Sequence, residues 1–307
     1  MPIDTELHQS PRMSAGVFLA ATFVLAWSGV VVEALHLAGR DIPYPGFNPA
    51  LISQFAPSLV AVAMVLHKAG RAGLARFLRN ALPKRATASM LRLAAIPIAM
   101  AVASIAVLVA LGTEAPTFPE FPAIALPGVL LLFIVAGTIA GGLSEELGWR
   151  GLLLPTLQGR MTALAASVAI AVIWTVWHLE PTILARLFDE GGGPFLRDVA
   201  ADMGERLSFT VPMTIVFTSL YNRSGGHLFI PIAAHGISNG IASTAMLSWI
   251  EIPTVIGVWA WAFIWWAIAI AVMRWGGAHH LNPFEPRNAT VVAASQDRII
   301  GTSAASV

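Results

Sequence analysis

The chain has 307 residues, of which 56% are hydrophobic and 11% are charged, and its formal net charge is +1. Soluble globular chains carry about 25% charged residues, so this composition indicates a protein embedded in lipid, and the small net charge gives no support for a nucleic-acid partner. The chain has no cysteine, which excludes disulfides, thiol nucleophiles and Cys-ligated zinc.

Long apolar segments recur along the chain, and a helix of about 20 apolar residues can cross a bilayer. The first segment is long for a signal-peptide core and lacks a small-x-small cleavage site, so we interpret it as a retained span. The fourth is long, carries charged residues and is expected to break near Pro155. The eight predicted spans are 16–38, 50–67, 91–112, 127–157, 162–179, 208–222, 227–248 and 253–274, with a polar insert at 180–207. The fold class is therefore all-α, a polytopic membrane helical bundle of about eight transmembrane helices.

The polar tails and the basic residues organise the rest of the chain. Residues 1–15 form an N-terminal tail, 16–276 the transmembrane domain, and 277–307 a polar tail expected to be disordered. With eight alternating spans, 14 of the 18 Lys and Arg residues fall on the side of the N-terminus. This asymmetry predicts a multi-pass integral membrane protein with both termini in the cytoplasm, in the cytoplasmic membrane if the source is bacterial. The sequence of residues 70–82 is compatible either with a basic amphipathic helix on the membrane surface or with a solvated loop helix.

Two adjacent carboxylates lie inside the apolar fourth span. Glu146 and Arg150 are four residues apart, so they can pair on one helix face. Glu145 is rotated by about 100° from Glu146 and should point away from that pair. Buried ionisable groups are costly in lipid and usually have a function or a partner. We therefore expect Glu146 to support the structure and Glu145 to be available as a general base.

Two further spans carry polar residues at helical spacing. His178 closes the fifth span one turn after Trp174, which lies on the same face. His235 and Asn239 are four apart in the seventh span and share a face as well. A His beside a Trp is often an interfacial residue, and a His–Asn pair can simply bond two helices together. His178, His235 and Asn239 are nevertheless candidate catalytic residues, and Trp174 is a candidate for structural support of the site.

The residue types suit peptide hydrolysis. Such a reaction needs a base for water and donors for the developing oxyanion. A carboxylate with a His can supply the base, and a His with an amide can supply the donors. Alternatively, Glu145, His178 and His235 could ligate zinc and leave one position open for water. The free Glu145 and the Asn in the last motif favour the version without a cofactor.

The three motifs, EExxxR, aromatic-xxxHis and HxxxN, lie in that order on separate spans and together resemble the CPBP family. That family includes the type II CAAX prenyl endopeptidases and the bacteriocin-processing and immunity proteins called Abi. The resemblance covers roughly 127–245, and the middle motif has Trp174 where the family usually has Phe. It implies a central intramembrane catalytic cavity in which Glu145 and His178 activate water. It also implies that His235 and Asn239 stabilise the oxyanion.

Three functions from different classes remain open at this point. The first is an intramembrane endopeptidase that acts on a peptide or a membrane-anchored protein substrate among membrane lipids. The second is a non-catalytic regulatory or scaffold protein of the immunity type, which would have no need of Glu145. The third is a proton-coupled transporter using Glu145 and His235 as a relay. Transporters often contain internal repeats, and no motif is repeated between the two halves of this chain.

Overall fold

The computed structural model describes residues 14–40, 49–82, 126–180, 183, 195–248 and 254–281. Within these ranges every regular element is helical, which confirms the all-α class for them. The predicted span at 91–112 and most of both predicted tails lie outside the described residues. The helices are α1 (Ala15–Leu37), α2 (Ala50–Arg79), α3 (a helical run from Leu126 to Gln158), α4 (Ala163–Trp177), α5 (Phe195–Arg223), α6 (Phe229–Ser248) and α7 (Thr254–His280).

Four of the described helices are long and apolar enough to cross a membrane. These spans are Ala15–His36, Leu51–Arg79, Leu131–Gln158 and Val258–Gly277, and α4 is apolar but shorter. Apolar side chains such as Val24, Leu132 and Phe263 stay largely exposed on their outer faces, as expected where lipid replaces water. The described helices thus fit an integral membrane protein, while the count of eight spans stays a prediction.

Helix α2 contains a kink at Gly70, whose φ of 63° lies in the left-handed region that favours glycine. Beyond the kink, the segment predicted to be amphipathic is helical up to Arg79. Phe77 faces inward and is buried, while Arg76 and Arg79 are exposed. The kink therefore separates the apolar span from a short basic helix.

Helix α3 does not break at Pro155 as expected. It continues to Gln158, and Pro155 lies in the first turn of its last α-helical segment, where a missing N–H is tolerated. The irregularities are instead two π-helical segments, Thr138–Leu143 and Trp149–Leu153, on either side of Ser144–Gly148. Single π-turns often occur at functional sites because they rotate side chains relative to a regular helix.

Helix α5 is longer than the predicted sixth span, which began at residue 208. It starts at Phe195, so the second half of the insert predicted at 180–207 is helical. The polar residues of that half kept it below the hydropathy of a membrane span. An ion pair between Asp202 and Arg206, four residues apart, supports the helix there.

The middle of α3 lies at the centre of the packing. Helix α2 packs against Ser144–Gly148, α6 packs along the first part of α3, and α5 packs on α4 and α7. The largest fully buried side chains include Trp149, Trp177 and Trp265. This arrangement encloses the polar segment of α3 between helices that are distant in sequence.

Candidate active site

Glu146 is a shared acceptor at the centre of the site. Its Oε1 accepts hydrogen bonds from Arg150 Nη1 at 2.8 Å and pairs with His235 Nδ1 at 2.8 Å. All three side chains are at most 2% exposed. The expected Glu146–Arg150 pair is confirmed. Glu146 also joins α3 to α6 and fixes the orientation of the His235 ring, which sequence reasoning did not foresee.

Arg150 is held between two aromatic rings. Its guanidinium carbon lies 5.3 Å from the centre of the Trp174 ring and 5.1 Å from that of Phe217. Arg150 Nε and Nη2 have no hydrogen-bond partner among the described residues. The aromatic faces thus compensate part of the desolvation of this buried cation.

Glu145 points away from that ion pair, as the helix geometry predicts. Its Oε2 accepts hydrogen bonds from Trp174 Nε1 at 2.6 Å and from Trp149 Nε1 at 3.3 Å. Its Oε1 accepts from Gln54 Nε2 at 3.3 Å. Neutral N–H donors from three helices therefore hold this carboxylate. None of these three hydrogen-bond donors carries a formal charge.

His178 caps the C-terminal end of α4 and is half-buried. Its backbone N–H donates to the Trp174 carbonyl oxygen at 3.1 Å. The His178 ring lies 4.6 Å from the Trp177 ring and 5.8 Å from the Trp174 ring, centre to centre. The Trp174 ring also meets the His235 ring at 5.4 Å. Trp174 therefore contacts Glu145, His178 and His235 together.

The lack of a side chain at Gly141 makes room for the side chains of His235 and Asn239. A Cβ atom added to Gly141 would lie 3.1 Å from His235 Nε2 and would collide with Asn239 Nδ2. Both nitrogen atoms therefore lie against the backbone of α3, one turn before Glu145. No side chain larger than hydrogen fits here without displacing them.

A cavity of about 420 Å³ collects the four residues assigned to chemistry from the sequence. Its wall includes Glu145, His178, His235 and Asn239, together with Trp174. Glu146 and Arg150 lie behind this wall. The other lining residues are Gln54, Phe133, Ala136, Gly137, Ala140, Arg206, Phe209, Thr210, Met213 and Ala242.

The sequence also allowed the alternative prediction of a zinc site made of Glu145, His178 and His235. Among the described residues, no three His, Cys, Asp or Glu side chains are arranged to hold one ion. In this geometry His235 Nδ1 is already engaged by Glu146, which leaves Nε2 as the ring atom facing Gly141.

Sequence reasoning missed several residues that line or support the site. Gln54 lies in α2, and its side chain also donates to the Ala140 carbonyl oxygen. Trp149 sits within the charged motif but looks like any apolar residue of a span. Phe217 contacts both Arg150 and His235. A lone Gln in an otherwise apolar span was the one signal that could have been used.

Glu180 lies two residues beyond His178, outside the apolar part of α4. It is 7% exposed, and its Oε2 has no hydrogen-bond partner among the described residues. Burial, and after it the charge of Glu145, raise the pKa of Glu180 to about 7. Glu180 is thus a third carboxyl group, within electrostatic reach of Glu145.

The segment from 126 to 241 contains all of these motifs, and it matches the family model described as type II CAAX prenyl endopeptidase Rce1-like. Residues 126–241 are therefore similar to an Rce1-like domain. Among curated proteins, the CAAX prenyl protease 2 of Methanococcus maripaludis is 40% identical over 50 residues. That alignment covers 16% of this chain and 17% of the relative. The chain thus spans about a sixth of the length of this relative.

Proposed function

We propose that this protein is an intramembrane endopeptidase that hydrolyses a peptide bond in a peptide or a membrane-anchored protein substrate. The Rce1-like domain supports the class of reaction. The observation that carries the proposal further is the shared cavity, because Glu145, His178, His235 and Asn239 come from three separate helical segments and line one space.

The proposed mechanism uses Glu145 together with His178 to take a proton from water. The resulting hydroxide adds to the carbonyl carbon of the scissile bond. The proton then passes to the nitrogen of the leaving amine as the C–N bond breaks. The hydrogen bonds to Glu145 come from neutral indole and amide groups, so its carboxylate is held in place without a permanent positive partner.

The proposed oxyanion donors are His235 Nε2 and Asn239 Nδ2. Both atoms lie beside Gly141 and both residues line the cavity, so we propose that they donate to the same oxygen atom of the substrate. Glu146 holds the opposite ring nitrogen of His235 and so orients the imidazole. Donors fixed before the reaction stabilise the developing charge without reorganising during it.

The proposal is tested with purified protein and an internally quenched peptide ending in a farnesylated CAAX sequence. Glu145→Gln and His178→Ala should each reduce kcat/KM by about 10²–10⁴-fold, the usual contribution of general acid–base catalysis. Asn239→Ala should reduce it by about 10²–10³-fold, the usual contribution of one oxyanion donor. His67→Ala is the control, because His67 is exposed on α2 and does not line the cavity. Wild-type rates in Glu145→Gln would refute the site assignment.

We propose a glutamate-type mechanism rather than a metal-dependent one, since hydrogen bonds from neutral donors already engage both oxygens of Glu145. Activity should therefore persist in a strong zinc chelator such as 1,10-phenanthroline. If the chelator instead abolished the activity of the wild-type protein and added zinc restored it, the metal-dependent alternative would be established. The Glu145→Gln protein should stay inactive in the same assay, with or without zinc.

We also propose that both termini face the cytoplasm, on the basis of the excess of basic residues on that side. The chain has no cysteine, so a single cysteine can be introduced without further changes. Ser10→Cys and Ser303→Cys should each react with a membrane-impermeant maleimide only after the cells are permeabilised. Labelling of either one in intact cells would contradict this orientation.

A further inference from the structure

Arg206 is a charged cavity residue to which the proposed mechanism assigns no role. It lies on α5 and lines the same space as Glu145 and His178. Among the described residues that line the cavity, Arg206 is the only lysine or arginine. Its side chain is 29% exposed, whereas Arg150 is fully buried behind the wall. Arg206 is thus the permanent cation that a bound molecule can reach.

The guanidinium of Arg206 is only partly used within the protein. Its Nε donates to Asp202 Oδ2 at 2.9 Å, one turn earlier on the same helix. Among the described residues, this is the one hydrogen bond that its guanidinium makes, so Nη1 and Nη2 have donors left over. An exposed i,i+4 pair of this kind stabilises a helix by only about 0.3–0.5 kcal/mol. Asp202 fixes the direction of the side chain and leaves its outer edge available.

We propose that Arg206 binds the C-terminal carboxylate of the peptide substrate. This inference rests on the proposed peptidase function and adds a feature of the substrate to it. Two N–H groups on one edge of a guanidinium match the two oxygens of a carboxylate. A C-terminal carboxylate entering the cavity would otherwise meet the like charge of Glu145. Arg206 supplies the opposite charge on the same wall.

The size of the cavity agrees with a short chain end as the ligand. A volume of about 420 Å³ is in the range of small-molecule sites. It accommodates a few residues and not a folded domain. A substrate that ends close to its cleavage site can therefore place the scissile carbonyl at Glu145 and its carboxylate at Arg206 at the same time.

The test compares two forms of one dansylated peptide ending in farnesyl-cysteine-Val-Ile-Met, one with a free C-terminal carboxylate and one with a carboxamide. With the wild-type protein, kcat/KM for the carboxylate form should be about 10–100-fold higher, mainly through KM, as for hydrogen bonds to a charged group. Arg206→Gln should bring the ratio of the two kcat/KM values close to one. Arg206→Lys should restore part of it, because the charge is kept and the paired donors are lost.

Arg197→Gln is the matched control, since Arg197 is an exposed arginine on the same helix and does not line the cavity. It should keep the wild-type preference for the carboxylate form. If Arg206→Gln slowed cleavage of both peptides by the same factor, Arg206 would have a structural role and the inference would be wrong.

A binding measurement separates this inference from the peptidase proposal. Fluorescence titration of the Glu145→Gln protein with the two dansylated peptides needs no hydrolysis. Tighter binding of the carboxylate form, lost in the Glu145→Gln, Arg206→Gln double variant, would support the role of Arg206 even if the wild-type protein cleaved neither peptide. Equal binding of the two forms, or binding of neither, would overturn it.

Discussion

The hydrogen bond from Trp174 to Glu145 should control the activity of the site. In Trp174→Phe the aromatic wall is kept, but the donor at 2.6 Å from Glu145 Oε2 is lost. Hydrogen bonds to charged groups contribute about 1.5–3 kcal/mol, and each 1.36 kcal/mol in a barrier is tenfold in rate. The bonds from Trp149 and Gln54 remain, but at 3.3 Å they are longer. We expect kcat/KM to fall about 10–100-fold.

The control for this substitution is Trp265→Phe. Trp265 is fully buried, does not line the cavity, and its Nε1 has no hydrogen-bond partner among the described residues. Both variants lose the same atoms from the core, but only Trp174→Phe also loses a hydrogen bond to Glu145, so it should lower the melting temperature at least as much as Trp265→Phe. Only Trp174→Phe should lower kcat/KM of the folded protein on the quenched farnesyl peptide. Equal kcat/KM values for the two variants would show that the indole N–H does not position Glu145.

Three further substitutions test separate parts of the site. Gly141→Ala should remove most of the activity, because its Cβ would displace Asn239 and His235, whereas Gly204→Ala, with open space around it, should retain activity in the same peptide assay. Glu146→Gln should lower both activity and the thermal melting temperature, since loss of the partner of a buried ion pair costs about 3–5 kcal/mol. The effect of Glu180→Gln on thermal stability should depend on pH. The raised pKa of Glu180 means that the folded state binds its proton more tightly than the unfolded state, so this contribution to stability is lost between the ordinary value of 4.5 and about 7. The variant should therefore melt higher than the wild type at about pH 8 and similarly at about pH 4, and an unchanged difference across this range would contradict the shift.

Local helix geometry explains which parts of the site could be predicted from the sequence. Residues four apart share a face of a helix, so the pairing of Glu146 with Arg150 followed from their spacing and is formed in the structure. The same rule separated Glu145 from that pair. The assignment of Glu145, His178, His235 and Asn239 to catalysis stays a prediction, although the four residues line one cavity.

The contacts that could not be predicted join residues far apart in the chain. Glu146 and His235 belong to different helices, and no spacing rule relates them. The role of Gln54 depends on how α2 packs against the middle of α3. The start of α5 was placed too late because hydropathy detects contact with lipid, while residues 195–207 form a polar helix supported by local pairs such as Asp202–Arg206. Tertiary packing decides these features, and a single sequence carries little information about it.

The formal charges of the buried cluster connect the proposed roles to one another. If Nδ1 of His235 donates to Glu146 and Nε2 donates to an oxyanion, the imidazole must carry both protons and a positive charge. Arg150 and Glu146 cancel, so the charge of His235 then balances an ionised Glu145. An ionised Glu145 is also the form that a general base requires. Since an unbalanced charge is costly inside a membrane, the protonation state that both roles require is also the one in which these four side chains are neutral overall. Moving the proton from water to Glu145 would leave the positive charge of His235 to face the oxyanion, which is where the mechanism needs it.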